Sequence, residues 1–177
     1  MLLRAAAAAD FEAIAEIVNH YIEHTAIHFS YEKETAAALS AAWEAQRTRY
    51  PMLVAEENGA VIGFSKAGPF RERAAYAWIV ESGVYLRPDQ GGRGLGEALM
   101  RPLVEVLREQ GYHTIMAGIA LPNEASVRLH ERLGFVKVGH VAHAGWKFDR
   151  WHDVGFWQLA LASSEAKAGE IRPPRHP

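Results

Sequence analysis

Cysteine is absent from the 177 residues. That excludes a disulfide framework, thiol catalysis and a zinc site held by thiolates, and it suits a reducing cytoplasm. Neither sign of charge dominates: 19 Lys and Arg stand against 21 Asp and Glu, for a formal net charge of −2. A nucleic-acid binder driven by bulk positive charge is therefore not expected. No apolar run approaches membrane-spanning length, so no membrane partner is expected either. The start, "MLLRAAAAADFEAIAEI", lacks a basic segment followed by a strongly apolar one and does not read as a signal peptide. Internal repeats and a dividing linker are also missing. One domain over residues 1–162 is expected, followed by a tail over 163–177, ending "IRPPRHP", that is expected to be disordered.

What is present is enough apolar residue, 49% of the chain, to build a sizeable core. Phe11, Ile14, Val18, Tyr21 and Ile22 recur at helical spacing, with Asp10 as the expected N-cap. A second helix is predicted from about Thr35, through Leu39 and Trp43, towards Tyr50, where Pro51 stops it. "MLVAEENGAVIGFSKAG" reads as a hairpin around Asn58-Gly59, and "AYAWIVESGVYL" as a long strand. A helix follows to about Gln110, with a kink or local distortion expected at Pro102. Then come a buried-type strand, "HTIMAGIAL", a short helix closed at Gly134, and a final pair of strands. This order is that of a mixed α/β layer architecture.

The most informative stretch is "DQGGRGLGEALM", where Gly91, Gly92, Gly94 and Gly96 crowd the start of a helix. Each costs roughly 0.5–1 kcal/mol relative to alanine inside an element. A strand, a glycine-rich turn and a helix N-terminus together make an anion site, because free N–H groups and the helix dipole both favour negative charge. A tight turn in which glycine serves geometry alone is the plainer alternative. The spacing is not that of a P-loop, which needs Gly-Lys-Ser/Thr where this chain has Gly94-Leu95-Gly96. A mid-chain position after a strand meander also disfavours a Rossmann site.

"GVYLRPDQGGRGLGEALM", followed by "LPNEASVRLHERLGF", resembles the GNAT N-acetyltransferases. "IVNHYIEHT", "AGPFRERAAYAWIVESGVY" and "AGWKFDRWHDVGFWQL" resemble the branch that acetylates phosphinothricin and methionine sulfoximine or sulfone. The resemblance covers nearly the whole chain apart from the tail. It implies an α/β fold with a central mixed, mostly antiparallel twisted sheet flanked by helices. It also implies acetyl coenzyme A as cosubstrate, a small amine acceptor and a homodimer. In one place the chain departs from the family loop, which usually opens with Gln or Arg where this sequence has Gly91; Arg93 is the side chain expected to compensate by reaching a phosphate.

Acetyl transfer to an amine requires removal of a proton from the ammonium, a positioned thioester, oxyanion donors and a proton for the leaving thiolate. Glu81 lies in an otherwise apolar strand, where a carboxyl pKa should rise. On the residues alone it reads equally as a general base or as a glutamate paired on an open sheet face; the resemblance implies the base. His130 is the second catalytic candidate, against the alternative of a packed helix histidine. The resemblance further implies backbone contacts from Val84, Tyr85 and Leu86 to the pantetheine arm. Gly91, Gly92, Arg93, Gly94, Leu95 and Gly96 would contact the pyrophosphate. Asn123 and Ser126 would also touch the coenzyme, although Asn123 is equally a helix cap. Arg71 and Arg73 would hold an acidic acceptor, and Phe29, Tyr76 and Gly118 would line its pocket. A metal site is not expected. His20, His24 and His28 recur every four residues, and His140, His143 and His152-Asp153 cluster, but no His-Glu-x-x-His pattern is present. The rival readings are a GNAT enzyme for another amine and a coenzyme-binding regulator without catalysis.

Overall fold

A computed structural model describes residues 1–175. Its frame is a seven-stranded sheet in the order β1-β2-β3-β4-β5-β7-β6. The strands are β1 (Leu2–Ala5), β2 (Met52–Glu57), β3 (Ala60–Pro69), β4 (Ile79–Leu86), β5 (Thr114–Leu121), β6 (Val136–Lys147) and β7 (Arg150–Ala160). All neighbours pair antiparallel except β4 and β5, which run parallel. The helices are α1 (Phe11–His24), α2 (Ala36–Glu44), α3 (Leu95–Gln110) and α4 (Glu124–Arg132). Among the described residues no helix is long and apolar enough to cross a membrane.

Alternation along the strands divides the core between two layers. On β2, Leu53 and Ala55 face one side and join Leu99, Leu103 and Leu107 of α3; Val54 faces the other and joins Ile14, Val18 and Ile22 of α1. Asn58 (φ +54°) and Gly59 (φ +78°) form the expected hairpin turn between β2 and β3. Residue pairing along β3 and β4 is regular, with Ser65 opposite Val84, Lys66 opposite Gly83 and Gly68 opposite Glu81.

Several expectations from sequence change. Asp10 occupies the N-cap position of α1, but its side chain makes no capping bond to that helix. Its carboxylate accepts from the Ala7 backbone N–H at 2.7 Å and from the Arg4 guanidinium at 2.7 Å, closing a 3-10 turn over Ala8–Asp10 and tying it to β1. That strand, four residues long, carried no recognisable pattern of its own. Helix α2 ends at Glu44, well before Tyr50. The stretch Ala74–Tyr76 is a 3-10 turn, so β4 begins only at Ile79. Helix α3 continues through Pro102 to Gln110. The tail, expected to be disordered, forms no helix or strand over residues 163–175, yet it is tied to the body. The Trp78 indole donates to the Gly169 carbonyl at 2.6 Å. The Gln110 side-chain amide donates to the Arg172 carbonyl at 2.8 Å, and the Gln110 backbone carbonyl accepts from the Arg172 N–H at 2.9 Å. Ile171 packs on the main core, so apolar burial and backbone pairing offset the ordering cost that the composition suggested.

Candidate active site

The parallel pairing of β4 with β5 stops early: Ile79, Val80 and Glu81 stand opposite Thr114, Ile115 and Met116, and no later pair forms. Both strands continue, β4 to Leu86 and β5 to Leu121, so they splay apart. The gap is a cleft of about 720 Å³ lined by Glu81 to Leu86, Ala117 to Ala120, the glycine turn and α4. The β5-facing edge of β4 beyond Glu81 therefore carries unpaired backbone polar groups, which an extended chain can join as an added strand.

Glu81 stands where the strands part. A Cβ built on Gly118 would lie 3.1 Å from the Glu81 Oε1 and 3.5 Å from the Phe156 ring, so glycine at 118 makes room for the carboxylate. The apolar walls raise the Glu81 carboxyl pKa by desolvation; Lys66, across from β4 on β3, pulls it back down. His130 is 3% exposed on α4 and lines the same cleft. Its Nδ1 lies 2.8 Å from the Ser126 carbonyl, which assigns the proton to Nδ1 and leaves Nε2 as a lone-pair acceptor. That Nε2 is buried and has no partner among the described residues. Burial lowers the His130 pKa, so the ring is neutral near pH 7, held edge-on to Phe135 at a centroid distance of 5.0 Å.

At the other end of the cleft, Gly92 (φ +77°) and Gly94 (φ +76°) hold the left-handed conformation that brings the chain into α3. Gly96 serves packing instead: a Cβ there would meet Leu129 of α4 at 2.9 Å. Gly91 to Gly94 donate no backbone hydrogen bond among the described residues, and Leu95 and Gly96 lie in the first turn of α3, where N–H groups have no intrahelical acceptor. A Cβ on Gly91, Gly92 or Gly94 would meet nothing within 4 Å. This open cradle of N–H donors at a helix N-terminus fits a pyrophosphate. On α4, Asn123 is the N-cap, its Oδ1 accepting from the Ser126 N–H at 3.2 Å, and both residues line the cleft.

Other expected site residues lie elsewhere. Arg93 does not line the cleft; its guanidinium pairs with Glu57 of β2 at 2.9 Å and with Gln90. Arg71, Arg73 and Tyr76 belong to the loop after β3 and are not part of the cleft wall; Arg71 lies over the rings of Phe70 and Tyr76. Phe29 follows α1 and packs on β6, where a Cβ on Gly145 would collide with its ring. Helix α1 ends at His24, so His28 leaves the line of His20 and His24 and turns its ring towards Tyr85. Among the described residues no group of three or more His, Cys, Asp or Glu is arranged to hold a metal ion.

Sequence reasoning missed Lys66 and Ser82. Lys66 opens onto the cleft beside Glu81, and its neighbours remove enough water to lower its pKa. A charge in the otherwise apolar "AVIGFSKAG" was the same signal that singled out Glu81 in "WIVESGVY". Ser82 is a buried residue of the cleft wall, its Oγ donating to the Met116 carbonyl at 3.4 Å and bridging β4 to β5 where they part.

A family model described as an acetyltransferase (GNAT) domain matches residues 3–155. The chain is 46% identical over 156 residues to phosphinothricin N-acetyltransferase of Streptomyces viridochromogenes, covering 88% of this chain and 85% of that protein. It is 41% identical to an L-methionine sulfoximine/L-methionine sulfone acetyltransferase of Salmonella typhimurium, covering 91% and 95%. The fold matches a GNAT-superfamily phosphinothricin acetyltransferase from Sinorhizobium meliloti, solved in complex with acetyl coenzyme A. The TM-score is 0.91 at 34% identity, over 96% of this chain and 93% of the other.

Proposed function

The chain belongs to the GNAT acetyltransferases, and from that premise we propose that it acetylates the α-amino group of a small amino-acid analogue, with Glu81 as general base. Phosphinothricin and methionine sulfoximine or sulfone are the leading acceptors. The observation that carries this reading is one cleft with a helix-N-terminal N–H cradle at one end and a desolvated carboxylate at the other.

Acetyl coenzyme A supplies an acetyl thioester, which an unprotonated amine can attack. Its pyrophosphate would lie on the backbone N–H groups of Gly91 to Gly96, with Asn123 and Ser126 alongside. The open edge of β4 at Val84 to Leu86 would pair with the pantetheine arm and present an N–H to the thioester oxygen. Glu81 accepts a proton from the acceptor's ammonium, leaving the nitrogen lone pair free at the carbonyl carbon. The neutral His130 has only an acceptor nitrogen free, which suits it to orient the amine or relay its proton through water. The acceptor would enter from the Glu81 side, opposite the glycine turn. The cysteine-free chain suits a cytoplasmic pool of acetyl coenzyme A, and the exposed aromatic end of β6 and β7 suits a homodimer.

Thiol release from acetyl coenzyme A with a panel of amines tests the reading. Turnover should be fastest with amino acids whose polar or acidic side chains match those of phosphinothricin and methionine sulfone in size. A preference for polyamines or a peptide N-terminus would refute the acceptor class, and tight coenzyme binding without turnover on any amine would refute catalysis.

A further inference from the structure

Four cationic side chains line the cleft: Lys66, Arg87, Arg128 and Arg132. The three arginines sit towards the glycine turn and α4, and each already faces a carboxylate of the protein. Arg87 pairs with Asp89 at 3.4 Å, Arg128 with Glu124 at 3.0 Å and Arg132 with Glu97 at 3.3 Å. Lys66 alone makes no ion pair or hydrogen bond among the described residues. It stands at the other end, on the strand adjoining Glu81.

The sheet register sets its direction. Lys66 is opposite Gly83 and Gly68 is opposite Glu81, so the Lys66 and Glu81 side chains project from the same face, two residues apart. Gly83 leaves the intervening space clear: a Cβ there would lie 3.9 Å from the Lys66 Cε, so the lysine arm runs over the glycine. The base is thereby flanked by a cation whose side chain makes no direct ion pair among the described residues; Glu34 and Glu81 attract it only through space. Arg71 and Arg73 lie on the loop after β3 and are not among the residues that line the cleft, so Lys66 is the cation nearest the base on its wall.

An α-amino acid is a zwitterion, with ammonium and carboxylate on one carbon. A carboxylate that takes the ammonium proton, next to a free ammonium of the protein, is the complementary charge pattern. We propose that Lys66 binds an acid group of the acceptor and sets the preference of this chain for anionic amino acids. This rests on the reading of Glu81 as the base. Two sources share the chemistry: the α-carboxylate, and an acidic side-chain group such as a phosphinate. Lysine meets either as a compact point charge. Partial desolvation of Lys66 strengthens the attraction, since an ion pair gains most where water is excluded.

The test uses the full chain and its Lys66→Gln and Lys66→Arg variants with three acceptors: phosphinothricin, methionine sulfone and methionine sulfone carboxamide. Losing a charge-assisted contact costs about tenfold or more in kcat/KM. In Lys66→Gln that loss should appear in KM for the acids and be absent for the carboxamide and for acetyl coenzyme A. Lys66→Arg should recover part of it. A loss for both acids identifies the α-carboxylate; a loss for phosphinothricin alone identifies the side-chain acid. Equal losses on all three acceptors, or none, overturn the proposal while leaving the base reading intact. A wild-type protein that acetylates none of the three refutes the parent reading and the proposal with it.

Discussion

Glu81 and Gly118 illustrate how a single residue type decides chemistry. A carboxylate on a sheet face is ordinary; one set where two strands part, with its neighbour reduced to a hydrogen atom, is poised to meet a second molecule. Its raised pKa comes first from desolvation, with Lys66 opposing. A base works when ionised, so wild-type turnover should fall as pH drops through a value above the ordinary 4.5 for glutamate. Glu81→Gln keeps the shape and removes proton acceptance. Turnover near pH 7 should drop by about 10²–10⁴-fold, with coenzyme affinity retained. The deficit should shrink towards pH 10, because solution then supplies free amine. Rates measured from pH 6 to 10 on folded protein decide the matter; near-wild-type turnover at neutral pH would remove Glu81 from the mechanism.

Elements place these residues, and here sequence and structure part company in instructive ways. The hairpin at Asn58-Gly59, the glycine turn and the Asn123-capped α4 were legible because each is a local pattern with a local cause. The splay of β4 from β5, the absence of the Arg71 loop from the cleft and the Arg93–Glu57 pair were not, because they depend on residues far apart in sequence. Lys66 was missed for the same reason: only register puts it beside Glu81. The start of α3 allows a sharp test of the cradle. Aspartate at position 94 has open space, tolerates a left-handed backbone better than most residues, and is favourable at a helix N-terminus. The fold should survive Gly94→Asp. The new carboxylate would occupy the N–H groups meant for phosphate and repel it. Calorimetry should therefore show coenzyme A binding lost, with the thermal midpoint near that of the wild type. Unchanged affinity would mean that the glycines serve only the turn and the contact of Gly96 with Leu129.

For the molecule as a whole, the sheet ends in an unresolved tension between edge and solvent. β6 is the outermost strand, and an edge strand offers unpaired backbone groups to any neighbour. Its far end is also apolar. Trp146 and Trp151 stand directly opposite one another across β6 and β7, their rings edge to face at 5.3 Å, and both remain about half exposed, at 46% and 56%. Phe148, in the turn between the two strands, adds exposed apolar surface on the same two-stranded end. Scattered apolar residues need no explanation, but a contiguous aromatic patch beside a free edge does. A second copy covers such a patch most economically through a two-fold axis, where each residue is used twice. Trp151→Glu would then bring two carboxylates into one apolar contact, so a single substitution acts with double weight. Sedimentation at micromolar concentration should show the wild-type protein as a dimer and Trp151→Glu as a folded monomer. The cleft is lined by β3, β4, β5, α3, α4 and the end of α1, and none of its lining residues comes from β6 or β7, so the variant's affinity for coenzyme A should be unchanged. A wild-type protein that stays monomeric across that range, with the same sedimentation as the variant, would show that the aromatic end of the sheet faces water in the native state.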